Sequence, residues 1–244
     1  MKKANIITIG IVAFLFAAGA YAMGELYVSG TWRYKMTVVV ETPEGIKTGS
    51  AVREVSNSAS KIKILSFTQS TNPAKAVGEA VVVDLGQRGK LFALMNGYKW
   101  GPDYAHSVLY DVFPSGKGGT TFEGIKFYKK LKAGPKTLTL EQYPTLVMFK
   151  DINDPKTVTS VLDIESDRKW PATYTIKADH FEELFGKGVR LKAITIETTD
   201  EPVTNNIDNY IEDDFWRLFN DWMQSLDIRE RAKYTHFFRF KERQ

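Results

Sequence analysis

The sequence predicts an α+β protein: a mainly antiparallel sheet built from hairpins, with short interspersed helices, preceded by an N-terminal hydrophobic segment. Three observations lead there. Side chains alternate apolar and polar from Trp32 onward and reverse at a Pro-Glu-Gly turn. A second hairpin pattern follows in "GEAVVVDLGQRGKLFALM". Strand signals outnumber helix signals, and the helices fall between hairpins instead of alternating strictly with strands, which argues against a doubly wound sheet.

The first hairpin carries Trp32, Tyr34, Met36, Val38 and Val40 on one face, and Arg33, Lys35, Thr37, Val39 and Glu41 on the other. Period two with β-branched and aromatic residues is the mark of a half-buried strand. Pro43, Glu44 and Gly45 form the turn, read as a three-residue loop with a bulge. That loop sets Thr42 opposite Ile46, Glu41 opposite Lys47 and Met36 opposite Val52, and the opposed charges favour this register. "SKIKILSF" alternates again. The second hairpin runs Glu79 to Leu85, turns over Gly86 to Gly89, and returns from Lys90 to Met95; its unbroken apolar runs predict burial on both faces.

Helical spacing of Tyr104, Val108 and Val112 predicts a helix, and "FEGIKFYKKL" a shorter one with Phe122, Ile125 and Leu131 inward. "TLTLEQYPTLVMFKD" holds one or two strands. Asp154 is placed to cap a helical "PKTVTSVL" with Pro155 in its first turn. "ADHFEELFG" is a short helix ended by Gly186, and "GVRLKAITIETT" is a strand. In "DDFWRLFNDWMQSL", Phe215, Phe219, Trp222 and Leu226 form one apolar stripe, with Asp213 and Asp214 at the helix start, where they meet the positive end of the dipole. The basic aromatic tail after it ends as a strand or a solvated end.

The start of the chain sets the address. Lys2 and Lys3 precede an uncharged run, "IITIGIVAFLFAAGA", and a small-x-small site after Ala22. This is a signal peptide or a single-span anchor over residues 1–23. Either form delivers the rest outside the cytoplasm, free in the periplasm or tethered to the inner membrane. An α+β domain is expected over 24–205, with an amphipathic helix and basic tail over 206–244.

Composition excludes several chemistries. With no cysteine there are no disulfides and no thiolate ligands. A net charge of +4 suits a neighbouring anionic membrane and is too mild for nucleic acid. Asp151, Asn153 and Asp154 form an oxygen-rich loop, the one candidate for a metal, but the calcium-loop pattern fails: Lys156 stands where glycine is needed and Leu162 where glutamate is. "SGKGGTT" lacks the first glycine of a phosphate loop. His106, His180 and His236 show no metal spacing, and no G-x-S-x-G elbow nominates a serine nucleophile. No catalytic residue and no cofactor are expected.

"GTWRYKMTVVVETPEGIKTGSAVREV", "GEAVVVDLG", "FKDINDP" and "GVRLKAITIETTDEPVT" resemble a set of proteobacterial proteins that carry an N-terminal membrane segment and no assigned activity. The likeness covers Gly30 to Thr204 and implies export and a single module; it brings no ligand or catalytic residue. The leading expectation is a non-enzymatic envelope module that binds a protein partner, docking through Phe215, Phe219, Trp222 and Leu226 or through strand edges. The alternative is a hydrolase of an envelope polymer, using carboxylates that sequence cannot pair.

Overall fold

The computed structural model describes residues 27–60, 74–167, 169, 171–211, 213–235 and 241–242. The hydrophobic leader, "KIKILSF" of the third alternating stretch, and residues 236–240 with His236 lie outside them. Among the described residues no helix is long and apolar enough to cross a membrane.

The chain is α+β. Strands β1 (Tyr27–Thr42) and β2 (Gly45–Ser60) form one long hairpin. β3 (Lys75–Glu79), β4 (Val81–Asp84) and β5 (Lys90–Gly97) follow, then helices α1 (Tyr104–Val112) and α2 (Phe122–Tyr128). Next come β6 (Lys136–Thr137), β7 (Pro144–Phe149), β8 (Val158–Ser160), β9 (Leu162–Ser166), β10 (Tyr174–Asp179), α3 (Phe181–Phe185) and β11 (Arg190–Thr198). The end is α4 (Asp213–Ser225), α5 (Ile228–Thr235) and β12 (Lys241–Glu242). A six-stranded sheet has the order β12-β3-β2-β1-β11-β6, a four-stranded sheet the order β4-β5-β7-β8, and β9 and β10 pair as a ribbon. Every pairing is antiparallel.

The predicted inner face is the buried one. Trp32, Tyr34, Met36, Val38 and Val40 all lie in the main core. Helices α1 and α2 cover it near Trp32, whose ring sits 6.2 Å from Tyr110 and 5.6 Å from Tyr128. The small sheet covers the rest with Val81, Val83, Leu91, Ala93, Leu146 and Met148. At the crossing, a Cβ on Gly49 would lie 1.9 Å from the Val82 carbonyl oxygen, so only glycine admits this approach of two backbones. The small sheet's other face is a second core of Phe92, Leu94, Val147 and Phe149, closed by Ile207, Ile211 and Phe215. The molecule is therefore layered: large sheet, small sheet, C-terminal segment.

Two expectations are corrected. The hairpin turn is the two-residue Pro43-Glu44, with Thr42 opposite Gly45 and Met36 opposite Ala51, one residue off the expected register. Thr42 Oγ1 donates to the Gly45 carbonyl at 2.8 Å, and Arg88 clasps Glu44 at 2.7 Å. Glu41, expected opposite Lys47, instead meets Arg190 of β11 at 2.9 Å. The second correction concerns "PKTVTSVL": Asp154 does cap a turn, accepting from the Lys156 N–H at 3.0 Å, but the turn is a single 3-10 turn, Pro155–Thr157. The β-branched Val158 and Thr159 then pair with β7 as a strand.

Candidate ligand-binding clefts

Among the described residues, His106 and His180 each sit in a closed cluster. At the start of α1, His106 Nδ1 bonds Ser107 Oγ at 3.1 Å and Nε2 bonds Asp103 Oδ1 at 3.3 Å. This is the order of a serine hydrolase turned inside out. Ser107 is 7% exposed, whereas the Asp103 side chain is 71% exposed, so the would-be nucleophile faces the core and the carboxylate faces water. His180 has both ring nitrogens occupied, Nδ1 by Glu183 at 2.9 Å and Nε2 by Asp163 at 3.3 Å. These carboxylates, Glu183 first, push its pKa above the ordinary 6.5, and neither nitrogen is left to accept a proton from a substrate.

In the oxygen-rich loop, Asp151 Oδ1 accepts from the Asn153 N–H at 2.9 Å and Asp154 Oδ1 from that of Lys156. Thr157 Oγ1 bridges the carbonyls of Asp151 and Asp154 at 2.8 and 2.7 Å. Asp151, Asn153 and Asp154 thus build a turn. Among the described residues no group of three or more His, Asp or Glu is arranged to hold a metal.

The C-terminal stripe packs inward. Phe215 is buried, its ring edge-on to Phe149 at 5.4 Å, and Met223 is buried with it. Phe219 and Trp222 pack against the same core while staying partly exposed, and Leu226 lies just beyond the helix, half-buried. Phe215 is core and offers no surface to a partner; Leu218, off the stripe, is 39% exposed.

Two clefts formed by the described residues are candidate sites, and sequence reading named neither. The first, about 540 Å³, lies at the open end of the β1–β2 hairpin. Its described lining is Ser29, Gly30, Thr31, Ser56, Asn57, Ser58, Lys75 and Lys129, with two ammonium groups and no carboxylate. Gly30 pairs with Asn57. A Cβ on Gly30 would stand 3.0 Å from Ile125 and 3.6 Å from the Lys129 Cβ, so the bare glycine lets α2 approach and carries Lys129 to the cleft, where its Nζ reaches the Ser29 carbonyl at 3.4 Å.

Asn57 joins this cleft to the aromatic cluster of Trp32, Tyr110 and Tyr128. Its Oδ1 accepts from the Ser58 N–H at 2.8 Å, while its Nδ2, the indole Nε1 of Trp32 and the hydroxyl of Tyr110 are buried without a hydrogen-bond partner. Burial pushes the Tyr110 pKa well up, opposed by the adjacent Asn57 amide. The cleft and its surroundings are rich in donors and poor in acceptors.

The second cleft, about 400 Å³, lies at the Thr145 end of the small sheet. Asn96, Gly97, Tyr98, Gly101, Thr145, Ser160, Leu162, Asp163 and Ile164 line it. Its character is the reverse: one carboxylate, an amide, hydroxyls, and no lysine or arginine.

No family model, no curated protein and no solved structure matches this chain.

Proposed function

We propose that this chain is a non-enzymatic binding module of the bacterial cell envelope, and that the cleft at the open end of its long hairpin takes an anionic group of the phosphate type. The two ammonium groups of that cleft, with no carboxylate in its described lining, carry the reading. Lys75, Lys129 and the serine and threonine hydroxyls offer protons, and no described lining residue is acidic.

The envelope address rests on Lys2, Lys3 and the apolar run to Ala22. Ser29 follows Ala22 by seven residues, a reach of at most about 25 Å. An anchored chain therefore keeps this cleft near the headgroup layer, where phosphate comes from a lipid as well as from solution.

The test uses the full chain in nanodiscs. Inorganic phosphate is titrated against protein in phosphatidylcholine discs, and lipid contact is read by replacing part of that lipid with phosphatidylglycerol. Saturable phosphate binding in the first arm assigns a soluble ligand; chemical-shift changes at Ser29–Thr31 and Ser56–Ser58 only in the second assign a lipid headgroup. The double variant Lys75→Gln/Lys129→Gln is expected to lose about 2 kcal/mol, roughly 30-fold in affinity. Binding in neither arm, or binding that the double variant leaves unchanged, refutes the reading.

A further inference from the structure

We infer that the second cleft, at the Thr145 end of the small sheet, is a binding site for a neutral, hydroxyl-rich ligand of monosaccharide size. The site starts from an irregular strand. Between Ala93, opposite Leu146, and Gly97, opposite Pro144, β5 spends four residues where β7 spends two. Bulges of this kind re-aim side chains. Here the bulge carries Asn96, which is 2% exposed and has Oδ1 buried without a hydrogen-bond partner among the described residues. Thr145, also nearly buried, and Ser160 sit beside it in the lining. The hydroxyls of Ser160 and Tyr98 both donate to the Leu162 carbonyl, so neither proton is left for a ligand.

The cleft therefore asks its ligand for protons. An ammonium or a metal cation would supply attraction to Asp163, but His180 already contacts that carboxylate at 3.3 Å. With Asp163 engaged in this way, several hydroxyl donors fit the site better than a cation. The volume of about 400 Å³ lies within the range of about 300–1,000 Å³ typical of small-molecule sites. This inference is independent of the anionic cleft.

The experiment is a titration of the full chain with glucose, N-acetylglucosamine and myo-inositol, with glucosamine as the cationic comparison. Calorimetry and amide chemical shifts give the readout. Asp163→Asn is the main variant, because its side chain is half exposed and the amide keeps an oxygen toward His180; Thr145→Val is the second, and thermal unfolding confirms that both fold. Saturable binding of a neutral polyol is expected, with shifts centred on Asn96, Thr145 and Asp163, and about tenfold weaker binding in Asp163→Asn. Lys75→Gln/Lys129→Gln should leave it unchanged, so the two sites stand or fall separately. No saturable binding of any neutral probe, binding indifferent to both variants, or a preference for glucosamine overturns the inference.

Discussion

Arg53 shows how much one residue decides. It is fully buried, and its guanidinium holds the layers together: Nε donates to the Glu79 carbonyl at 3.0 Å, and Nη2 to those of Ala93 and Leu94 at 3.2 Å each. Those last two carbonyls lie at the start of the irregular stretch of β5, so Arg53 supports from one side the irregularity that shapes the Asn96 cleft. Glu79, also buried, takes the Ile207 N–H at 2.7 Å and ties in the C-terminal segment. Sequence reading missed this because of the single-residue slip in the hairpin. With Met36 opposite Val52, Arg53 falls on the solvent face; in the observed register it faces Tyr34 and points inward. The misleading cue was Glu41 and Lys47, whose apparent match ignores Arg190, a partner 149 residues away. Arg53→Met should cost about 3–5 kcal/mol by urea denaturation, since it strips buried carbonyls of charged donors. A loss below about 1 kcal/mol would show that those carbonyls find other partners. Arg53→Lys should fall between, because an ammonium lacks the fork that reaches several acceptors at once.

At the scale of elements, legibility followed burial. The second hairpin, α1, α3 and β11 were readable because each buries an apolar set at a fixed period. The β9–β10 ribbon was not: its residues are largely exposed, so no hydrophobic period marks it. It is tied down by polar contacts instead, with His180 linking Asp163 of β9 to Glu183 of α3. The clefts were illegible for a related reason, since each gathers residues from strands distant in sequence. The His180 tie predicts a pH dependence. The imidazole pKa is raised on folding, so its contribution is complete below about 6.5 and is lost as pH rises through the higher folded value. Hydrogen exchange at β9 and α3, corrected for intrinsic base catalysis, should accelerate across that window. In His180→Gln the acceleration should vanish; if it persists, another group governs the ribbon.

For the whole molecule, the question is whether the C-terminal segment is an appendage or a layer. A boundary at residue 205 cuts through the second core, where Ile207, Ile211 and Phe215 cover Phe92, Leu94, Val147 and Phe149. The sequence displayed the stripe on α4 but not its destination, because a sheet face in need of cover and a partner protein draw the same periodicity. Full burial of a large apolar side chain stabilises by about 1.5–3 kcal/mol, so these three residues together contribute roughly 5–9 kcal/mol. A domain's whole margin is about 5–15 kcal/mol. Ending the chain at Thr204 should therefore leave the small sheet marginal, with a much lower unfolding midpoint, dye-binding apolar surface and a tendency to aggregate. The point variant Phe215→Ala should cost about 3–5 kcal/mol while preserving the two-state transition. A truncated chain that stays monodisperse, with its melting temperature unchanged and no dye binding, would mean that the large sheet and its helices hold the fold alone and that the C-terminal layer is free to serve another surface.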